Sequence, residues 1–282
     1  MKVTAPVRID ISAGWSDADP FRHEFGGAVL NAAINLRVSA TLRGQDLISS
    51  LEKVPSNSGL GTSGALRTVY LVAANPSLLG LNKMELIKRV NVFENALVGQ
   101  RAGFQDQAAA IFGGVNYWEF RKDGGIHRVP IPRQKVRHFY DRCVLVFTGD
   151  RHQSANVHHD VFAGHFMQHI FTIDRIKTIA RKMVSLLGRE DAMQALLNET
   201  WYLQKSLHER MESPMMKLLQ KTAQGHYLAC RATGAGGGGC MIFYVQPEKR
   251  RFLIEIFHRL GKKEKNLRVL PFSFDYHGIR LE

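Results

Sequence analysis

Two glycine-rich segments constrain the fold of this chain more than any other feature of its sequence. The first, SNSGLGTSGAL (residues 56–66), places a Gly-Leu-Gly turn directly before an apolar, helix-prone segment. The second, TGAGGGGCMIFYV (233–245), has five glycines within six positions and then reads as a strand. Glycine inside an element costs roughly 0.5 to 1 kcal/mol, so packing alone explains such a run poorly. Close approach of the backbone to a ligand, or of one glycine segment to the other, explains it better.

The first segment has the features of an anion site. Glycine at positions 59 and 61 lets backbone N–H groups approach a ligand, and the helix that follows presents unpaired N–H groups and the positive end of its dipole. Such sites most often hold phosphate. Thr62 and Ser63 add hydroxyls that can coordinate a phosphate-bound Mg²⁺. The segment is not a Walker A loop, because no lysine follows Gly61. A tight turn with an ordinary cap is the alternative for these residues taken alone.

The charge balance narrows the choice of partners. The chain has a formal net charge of +13 and a pI of about 9.9. This excess favours an anionic partner: nucleic acid, a phosphorylated small molecule or an acidic surface. The sequence has no aromatic RNA-binding motif and no zinc-finger spacing, so nucleic acid is the least favoured of these. The basic run over residues 121–138 reads as solvated faces and loops.

Hydropathy and cysteine content indicate a cytoplasmic protein. A length of 282 residues with 45% hydrophobic side chains suits one large domain or two smaller ones. No apolar run approaches the roughly 20 residues of a membrane span, and the N-terminal residues lack the apolar core of a signal peptide. The three cysteines, Cys143, Cys230 and Cys240, are isolated, which is typical of reduced thiols. We therefore expect a cytoplasmic location and no membrane partner.

The pattern of elements is that of an α+β protein. In the first half, the predicted strands are 3–11, 26–34, 37–42, 115–120, 127–131 and 142–149, and the predicted helices are 61–75 and 82–99. In the second half we expect a helical block, two strands, a helix and a final strand region, at 155–224 with breaks at Gly188 and Pro214, 227–233, 240–245, from Pro247, and 267–282. A boundary between two units is placed near residues 136–142.

Three segments in order resemble the three motifs of the GHMP small-molecule kinases. They are APVRIDISAGWSDADPFRHEFGGAVLNAAI (5–34), PSNSGLGTSGAL (55–66) and RATGAGGGGCMIFYV (231–245). The resemblance covers nearly the whole chain. It implies an α+β fold with an N-terminal domain of the ribosomal-S5 type over residues 1–140, a C-terminal ferredoxin-like domain over residues 141–282, and an active site between them.

Two further segments resemble one subgroup, the D-glycero-D-manno-heptose 7-phosphate kinases and fucokinases. These are AGWSDADPF (13–21) and GFQDQAAAIFGGVNYWEF (103–120). The resemblance implies ATP-dependent phosphorylation of the anomeric hydroxyl of a sugar or sugar phosphate, which gives a sugar 1-phosphate for nucleotide-sugar synthesis. It also implies ATP and Mg²⁺ as cofactors. A heptose 7-phosphate suits the positive charge of the chain better than fucose does, since it is an anion.

The resemblance also implies roles at the sugar side. Asp106 matches the catalytic base, and Arg8 matches the arginine that stabilises negative charge beside it. Asp17 matches the acid that binds the sugar, and a carboxylate can accept two adjacent hydroxyls. The other residues expected at the substrate are Trp15, Gly26, Gly27, Gly234 and Gly236. Taken alone, Asp106 could instead cap its helix, and Asp17 could be a turn residue.

The nucleotide side is expected at the second motif. The residues that the resemblance assigns to the ATP phosphates are Pro55, Ser58, Gly59, Leu60, Gly61, Thr62 and Ser63. Glu94, twelve residues before Asp106, matches the Mg²⁺ carboxylate, with Thr62 or Ser63 completing the metal shell; a solvated helix acid is the alternative for Glu94. Arg22, Arg101 and Arg151 are candidates for a sugar phosphate, although each alone reads as a surface residue.

One departure from the family concerns the nucleotide pocket. Only RGQDLISSLEKV separates Leu42 from Pro55, where these kinases usually have a longer segment. We expect room for a turn and a few strand or loop residues, with part of the pocket missing, rebuilt, or supplied by a partner in a homodimer. An alternative function is therefore a non-catalytic GHMP-fold protein that binds a sugar phosphate or a protein partner.

Overall fold

The computed structural model describes residues 1–98, 102–150, 154–163 and 166–282. The strands are β1 (Lys2–Asp10), β2 (Gly27–Arg43), β3 (Asp46–Ser50), β4 (Val115–Phe120), β5 (Ile126–Pro130), β6 (Cys143–Phe147), β7 (Ala229–Ala232), β8 (Cys240–Tyr244), β9 (Arg268–Val269) and β10 (Arg280–Leu281). The helices are α1 (Phe21–Phe25), α2 (Thr62–Ala74), α3 (Lys83–Val98), α4 (Gln105–Phe112), α5 (Arg133–Tyr140), α6 (Ser154–Ala163), α7 (Phe166–Leu186), α8 (Glu190–Leu207), α9 (Pro214–Thr222) and α10 (Pro247–Gly261). No helix in these ranges is long and apolar enough to cross a membrane.

The first sheet is formed mainly by strands from the N-terminal half of the chain. Strands β10, β1, β2, β4 and β5 lie side by side in antiparallel order, and β3 pairs with the far end of β2. The two strands predicted between residues 26 and 42 are one strand, because an irregularity in its pairing with β1 absorbs the residues between them. Pro6 pairs with Arg37, but the next residue, Val7, pairs with Ile34. Proline, which lacks an N–H, is tolerated at such a bulge.

The second sheet belongs to the C-terminal half. Strands β7, β8, β6 and β9 are antiparallel neighbours, and Leu253 and Phe257 of α10 are buried around Phe243 of β8. The predicted breaks in the helical block are confirmed. Gly188 lies between α7 and α8, and Pro214 opens α9, where its missing N–H would be unpaired in any case.

The end of the chain departs from the prediction. The strand region expected over 267–282 forms only the two-residue strands β9 and β10, which belong to different sheets. Between them, the carboxylate of Asp275 accepts backbone N–H groups from His277 and Gly278, and it also contacts the Arg37 guanidinium from β2. These turn contacts replace the ladder that a longer strand would form. The last residues therefore return to the first sheet, beside β1.

The basic run predicted as solvated faces and loops includes a helix that connects the two sheets. Helix α5 buries Val136 and Phe139 and leaves its basic side chains outside. The expected division into residues 1–140 and 141–282 falls at the end of this helix. This division into two domains stays a prediction. The last strand, β10, pairs with β1, so the first sheet includes residues from both of the expected ranges.

A buried ion pair joins the two sheets. Asp10 at the end of β1 and Arg231 in β7 both have side chains that are 0% exposed. Arg231 Nη1 and Nη2 lie 3.3 and 3.4 Å from the two carboxylate oxygens, and Nη2 also lies 3.3 Å from Gln204 Oε1. The same carboxylate accepts N–H bonds from Gly14 at 3.2 Å and from Gly234 at 3.1 Å. Because buried charges cost several kcal/mol unless they are paired, this pair fixes how the two halves meet.

The Asp10→Ala variant should lower the free energy of unfolding by about 3 to 5 kcal/mol, because Arg231 is then buried without its counter-charge. Urea unfolding followed by tryptophan fluorescence measures this, and Asp10→Ala/Arg231→Met should recover part of the loss. As a control, Glu85→Ala breaks an exposed pair with Arg89 and should change stability by about 1 kcal/mol or less. If the Asp10→Ala protein were as stable as this control, the Asp10–Arg231 pair would not stabilise the fold.

Candidate active site

A cavity of about 450 Å³ lies where the two glycine segments meet the loop after β1 and the start of α4. Three carboxylates line it, from Asp17, Glu94 and Asp106. Asp106 lies within electrostatic reach of both of the others. The cavity wall brings together most of the predicted site residues, namely Arg8, Trp15, Asp17, Ser58, Gly59, Gly61, Thr62, Ser63, Glu94, Asp106 and Gly234.

Arg8 and Asp106 form an ion pair on this wall. Arg8 Nε and Nη2 each lie 2.8 Å from Asp106 Oδ1, and Nη1 donates to the Gly59 carbonyl at 2.6 Å. The arginine side chain is 5% exposed and the aspartate 25%. Burial disfavours the charge of Arg8, but the carboxylates of Asp106 and Asp10 outweigh it and raise the Arg8 pKa. The result is a carboxylate open to the cavity with a cation fixed beside it.

The first turn of α2 closes directly on Asp106. A β carbon on Gly64 would lie 2.5 Å from Asp106 Cβ, and one on Gly61 would lie 2.9 Å from Asp106 Cγ. Gly61 precedes the helix with a φ of +70°, and among the described residues no side chain caps the N–H groups of the first turn. Glycine at these two positions therefore lets the carboxylate and the uncapped helix N-terminus share one cavity.

The two glycine segments contact each other through their backbones. A β carbon on Gly59 would lie 2.5 Å from the Thr233 carbonyl oxygen, and one on Gly234 would lie 2.7 Å from the Gly59 carbonyl oxygen. A β carbon on Gly239 would likewise lie 2.6 Å from the Ser58 carbonyl oxygen. Of the two explanations open at the sequence level, approach of one segment to the other is thus observed.

Glu94 lies beside the start of α2. Ser63 Oγ donates to Glu94 Oε1 at 2.7 Å, and Gln107 Nε2 donates to the other oxygen. Burial, then the Asp106 charge, raises the pKa of Glu94 to about 7. Thr62 instead has its hydroxyl 3.3 Å from that of Ser58. Of the two hydroxyls, the one next to the carboxylate is therefore that of Ser63.

These residues fit the chemistry of Mg²⁺. The described ranges contain no group of three His, Cys, Asp or Glu side chains that could hold a metal alone. Mg²⁺ is usually bound by one or two carboxylates together with substrate phosphates and water, so a larger protein cluster is not required. Glu94 and Ser63 provide one carboxylate and one hydroxyl at the uncapped end of α2.

Asp17 is held by the residue before the expected base. Its Oδ2 accepts the backbone N–H of Gln105 at 3.0 Å, and its Oδ1 lies 3.4 Å from Gln105 Nε2. Burial, opposed by the backbone hydrogen bond from Gln105, raises the pKa of Asp17 to about 6. A β carbon on Gly103 would lie 2.2 Å from its Oδ2. The carboxylate is thus closely packed at its base, with a cavity in front.

The loop that carries Asp17 is strained. Ala13 and Trp15 have φ values of +56° and +77°, a region that residues with side chains rarely adopt. A β carbon on Gly14, between them, would lie 1.9 Å from Gln105 Nε2. Strain of this kind concentrates at binding and catalytic sites, because the surrounding structure must hold it in place.

Sequence reasoning missed Gln105 as a wall residue. Its Oε1 is buried and has no hydrogen-bond partner among the described residues, and its side chain lines the cavity. Its position in the sequence, directly before the expected base Asp106, could have indicated that it lies at the cavity. Leu51 and Arg67 also line the cavity and were not expected there. Arg67 follows Ser63 by one helical turn, a spacing that could have pointed to it.

Five expected residues are not part of the cavity wall: Pro55, Leu60, Gly26, Gly27 and Gly236. The Leu60 side chain is fully buried, and its carbonyl accepts the Arg8 N–H at 2.8 Å. A β carbon on Gly27 would lie 2.2 Å from the Ser16 carbonyl oxygen, and one on Gly236 would lie 2.9 Å from that of Met211. The packing of these residues supports the neighbouring backbone.

Of the three candidate arginines for a sugar phosphate, Arg22 lies within the described residues, and it is not part of the cavity wall. Arg22 instead pairs with Asp19 at 2.9 Å through two nitrogens and lies outside the cavity wall. Arg101 and Arg151 lie outside the described residues. The wall that is described thus has Arg8 and Arg67 as its arginines.

Relatives that match most of this chain in sequence are named as sugar kinases. The D-glycero-alpha-D-manno-heptose 7-phosphate kinase of Campylobacter jejuni is 26% identical, over 99% of this chain and 98% of that protein. The bifunctional fucokinase/GDP-fucose pyrophosphorylase of Arabidopsis thaliana is 24% identical over 88% of this chain, which spans only 30% of that larger protein. The crystal structure of a D-glycero-D-manno-heptose 1-phosphate kinase from Bacteroides thetaiotaomicron has the same fold, with a TM-score of 0.74 at 23% identity over 99% of this chain and 97% of that one.

Two family models match the chain itself. The model of the GHMP kinases N terminal domain matches residues 27–114, and the model of the GHMP kinases C terminal domain matches residues 180–263. Together they match more than half of the chain, and the fold is the one that the three glycine-containing motifs predicted. The chain belongs to the GHMP kinases.

Proposed function

We propose that this protein is an ATP-dependent sugar kinase that phosphorylates the anomeric hydroxyl of a heptose, with heptose 7-phosphate as the favoured acceptor. The observation that carries the proposal is the Arg8–Asp106 ion pair in the cavity wall, with the uncapped start of α2 packed against the same aspartate. A proton acceptor and an anion site therefore face one space. Such an arrangement suits transfer of a phosphoryl group to a hydroxyl.

In the proposed reaction, Asp106 accepts the proton of the anomeric hydroxyl. The sugar oxygen attacks the γ-phosphorus of ATP, the bond from that phosphorus to the β,γ-bridging oxygen breaks, and ADP leaves. Arg8 is held 2.8 Å from the base and provides a fixed positive charge beside the reacting oxygens. Fixed charges in a site of low water content stabilise the transition state because they need no reorganisation.

The nucleotide phosphates are assigned to residues 56–63. Bare backbone at Gly59 and Gly61 and the uncapped N–H groups of α2 offer donors to phosphate oxygens. Glu94 and Ser63 would hold Mg²⁺, which neutralises phosphate charge when it is bound. The carboxylate and hydroxyl are already hydrogen-bonded to each other at 2.7 Å, which supports this assignment.

The sugar is assigned to the part of the wall that carries Asp17, which is hydrogen-bonded to Gln105 at the start of α4. Its carboxylate can accept two adjacent hydroxyls, and the unpartnered Oε1 of Gln105 adds another acceptor. The heptose assignment is supported by the relative from Campylobacter jejuni, which matches this chain end to end and is named as a heptose 7-phosphate kinase. The relatives matched in sequence are named as kinases, which gives the non-catalytic alternative no support.

A cytoplasmic location and a homodimer are kept as proposals. The three cysteines are free and buried, which is consistent with a reducing compartment. An anionic acceptor is consistent with the net charge of +13. Nucleic acid stays the least favoured partner.

Incubation with MgATP and candidate sugars should give a phosphate on the anomeric carbon, resolved by phosphorus NMR from one on a primary hydroxyl. Heptose 7-phosphate should be consumed faster than heptose, fucose or mannose, because the net charge of +13 favours an anionic acceptor. Nucleotide at millimolar concentration is appropriate, the upper end of ordinary KM values. Phosphate at a non-anomeric position would refute the subgroup, and no transfer to any of the four sugars would refute the kinase.

The Asp106→Asn variant should lower kcat by about 10² to 10⁴ and leave sugar affinity within a factor of about three, since the amide keeps the shape and loses the proton acceptor. A coupled ADP assay measures kcat, and calorimetry measures sugar binding. Asp174→Asn, at a half-exposed position of α7, is the matched control and should behave as wild type. Near-normal kcat in the Asp106 variant would remove this residue from the mechanism.

The Asp17→Asn variant should increase stability at neutral pH and weaken sugar binding. The pKa of Asp17 is raised from 3.8 to about 6, so the folded protein binds this proton more tightly than the unfolded chain and loses stability as pH rises across that interval. Asparagine does not ionise. The variant should therefore be more stable than wild type above pH 6, by at most about 3 kcal/mol, with no gain below about pH 4.

Thermal unfolding from pH 3.5 to 8, roughly the interval around this titration, measures the stability difference. Sugar affinity should fall about tenfold or more, because the amide cannot accept both hydroxyls. The Asp174→Asn control should show neither change. A gain in stability that is the same at every pH would show that Asp17 is not the group that titrates.

A further inference from the structure

Arg67 is a cation on the cavity wall that the proposed transfer does not use. It lies on α2, four residues after Ser63, and residues at this spacing lie on the same face of a helix. Both line the cavity. Burial and the Asp106 charge raise the pKa of Glu94, and the positive charge of Arg67 acts in the opposite direction. The guanidinium is therefore within electrostatic reach of the carboxylate assigned to the metal.

The hydrogen bonding of Arg67 is incomplete. Its Nε is buried and has no hydrogen-bond partner among the described residues. Its guanidinium carbon lies 5.7 Å from the centre of the Tyr70 ring, which supports the charged group from one side. A buried donor of a charged group that lacks an acceptor is costly, so a native position like this one calls for an anion.

We propose that Arg67 binds the polyphosphate chain of the nucleotide, as a second fixed cation in addition to Arg8. This inference rests on the proposed function of the cavity. A guanidinium offers a planar fork of donors that matches phosphate oxygens. The uncapped N–H groups of α2 lie one helical turn away and attract the same anion.

The position of Arg67 favours a contact with the nucleotide phosphates over a contact with the phosphate of the acceptor sugar. Arg67 shares α2 with Thr62 and Ser63, whereas Asp17 lies on the loop after β1 and is held by Gln105 at the start of α4. The acceptor is assigned to that second part of the wall. The phosphate of the acceptor sugar is therefore not expected to contact α2.

The test measures binding at equilibrium with one ligand at a time, so that no turnover occurs. Calorimetric titrations with MgADP, MgATP, adenosine and heptose 7-phosphate are compared for wild type, Arg67→Met and Arg67→Lys. Methionine keeps an unbranched stem and removes all donors, and lysine keeps the charge without the fork. Arg89→Met, at an exposed arginine of α3, lowers the net charge by the same amount and is the control.

Arg67→Met should weaken MgADP and MgATP by about tenfold to a hundredfold, with Arg67→Lys in between and the control unchanged. Adenosine and heptose 7-phosphate should bind all variants within about twofold, and melting temperatures should agree within about 2 °C. A nucleotide affinity unchanged in Arg67→Met would overturn the inference. So would an equal loss for adenosine, which would indicate a structural role, or a loss for heptose 7-phosphate alone.

The same titrations separate this inference from the proposed function. A wild-type protein that binds MgADP through Arg67 but transfers no phosphate to a sugar would refute the kinase and support the inference. A wild-type protein that phosphorylates the sugar while Arg67→Met binds nucleotide normally would refute the inference alone. A wild-type protein that binds no nucleotide would refute both.

Discussion

The geometry of the site depends on the contact between the two glycine segments. Gly59 and Gly234 meet backbone to backbone, and a β carbon on either would lie within 2.7 Å of the other segment. The Asp10–Arg231 pair lies directly behind this contact, because the Gly234 N–H donates to the same carboxylate. A side chain at the contact would push the two sheets apart and move the first glycine segment away from the rest of the wall. The second glycine segment therefore holds the first in place, which explains why it has so many glycines.

The balance of acidic and basic side chains on the cavity wall differs from that of the whole chain. The net charge is +13, yet the described wall has three carboxylates and only two arginines, Arg8 and Arg67. Burial raises the pKa of Asp17 to about 6 and of Glu94 to about 7, so the fold holds acids where their ionised form is least favoured. Ligands that donate hydroxyl groups or carry a metal ion relieve this cost, and they are the ligands that a kinase of sugars requires. Overall charge was thus a weak guide to this site, and the local acids are a better one.

The sequence was sufficient where the information is local. Glycines before an apolar helical segment predict an anion site, which stays a prediction. The order of three motifs predicted the fold, and eleven of the sixteen residues expected at the site line the cavity. It was insufficient where contacts join distant positions. The spacing around Gly64 does not reveal that a β carbon there would meet Asp106, 42 positions later, at 2.5 Å. The long second strand was read as two because the bulge depends on its partner, Pro6. Gln105 and Arg67 face the cavity only because α2 and α4 pack together.

The shortened segment after β2 determines how the nucleotide side can be built. The match to the Campylobacter jejuni kinase extends over 341 residues, more than the 282 of this chain, so that relative has segments that this chain lacks. Here β3 continues from β2 with all five residues exposed, and Leu51 after it reaches the cavity wall. One hydrogen bond of 2.9 Å, from Tyr70 to Ser49, ties this hairpin to α2. Of residues 43–54, Leu51 is the one on the described cavity wall, so this segment offers little surface to a nucleobase. If the nucleotide binds as proposed, most of the binding energy should therefore come from its phosphates, through the amides of α2 and the guanidinium of Arg67.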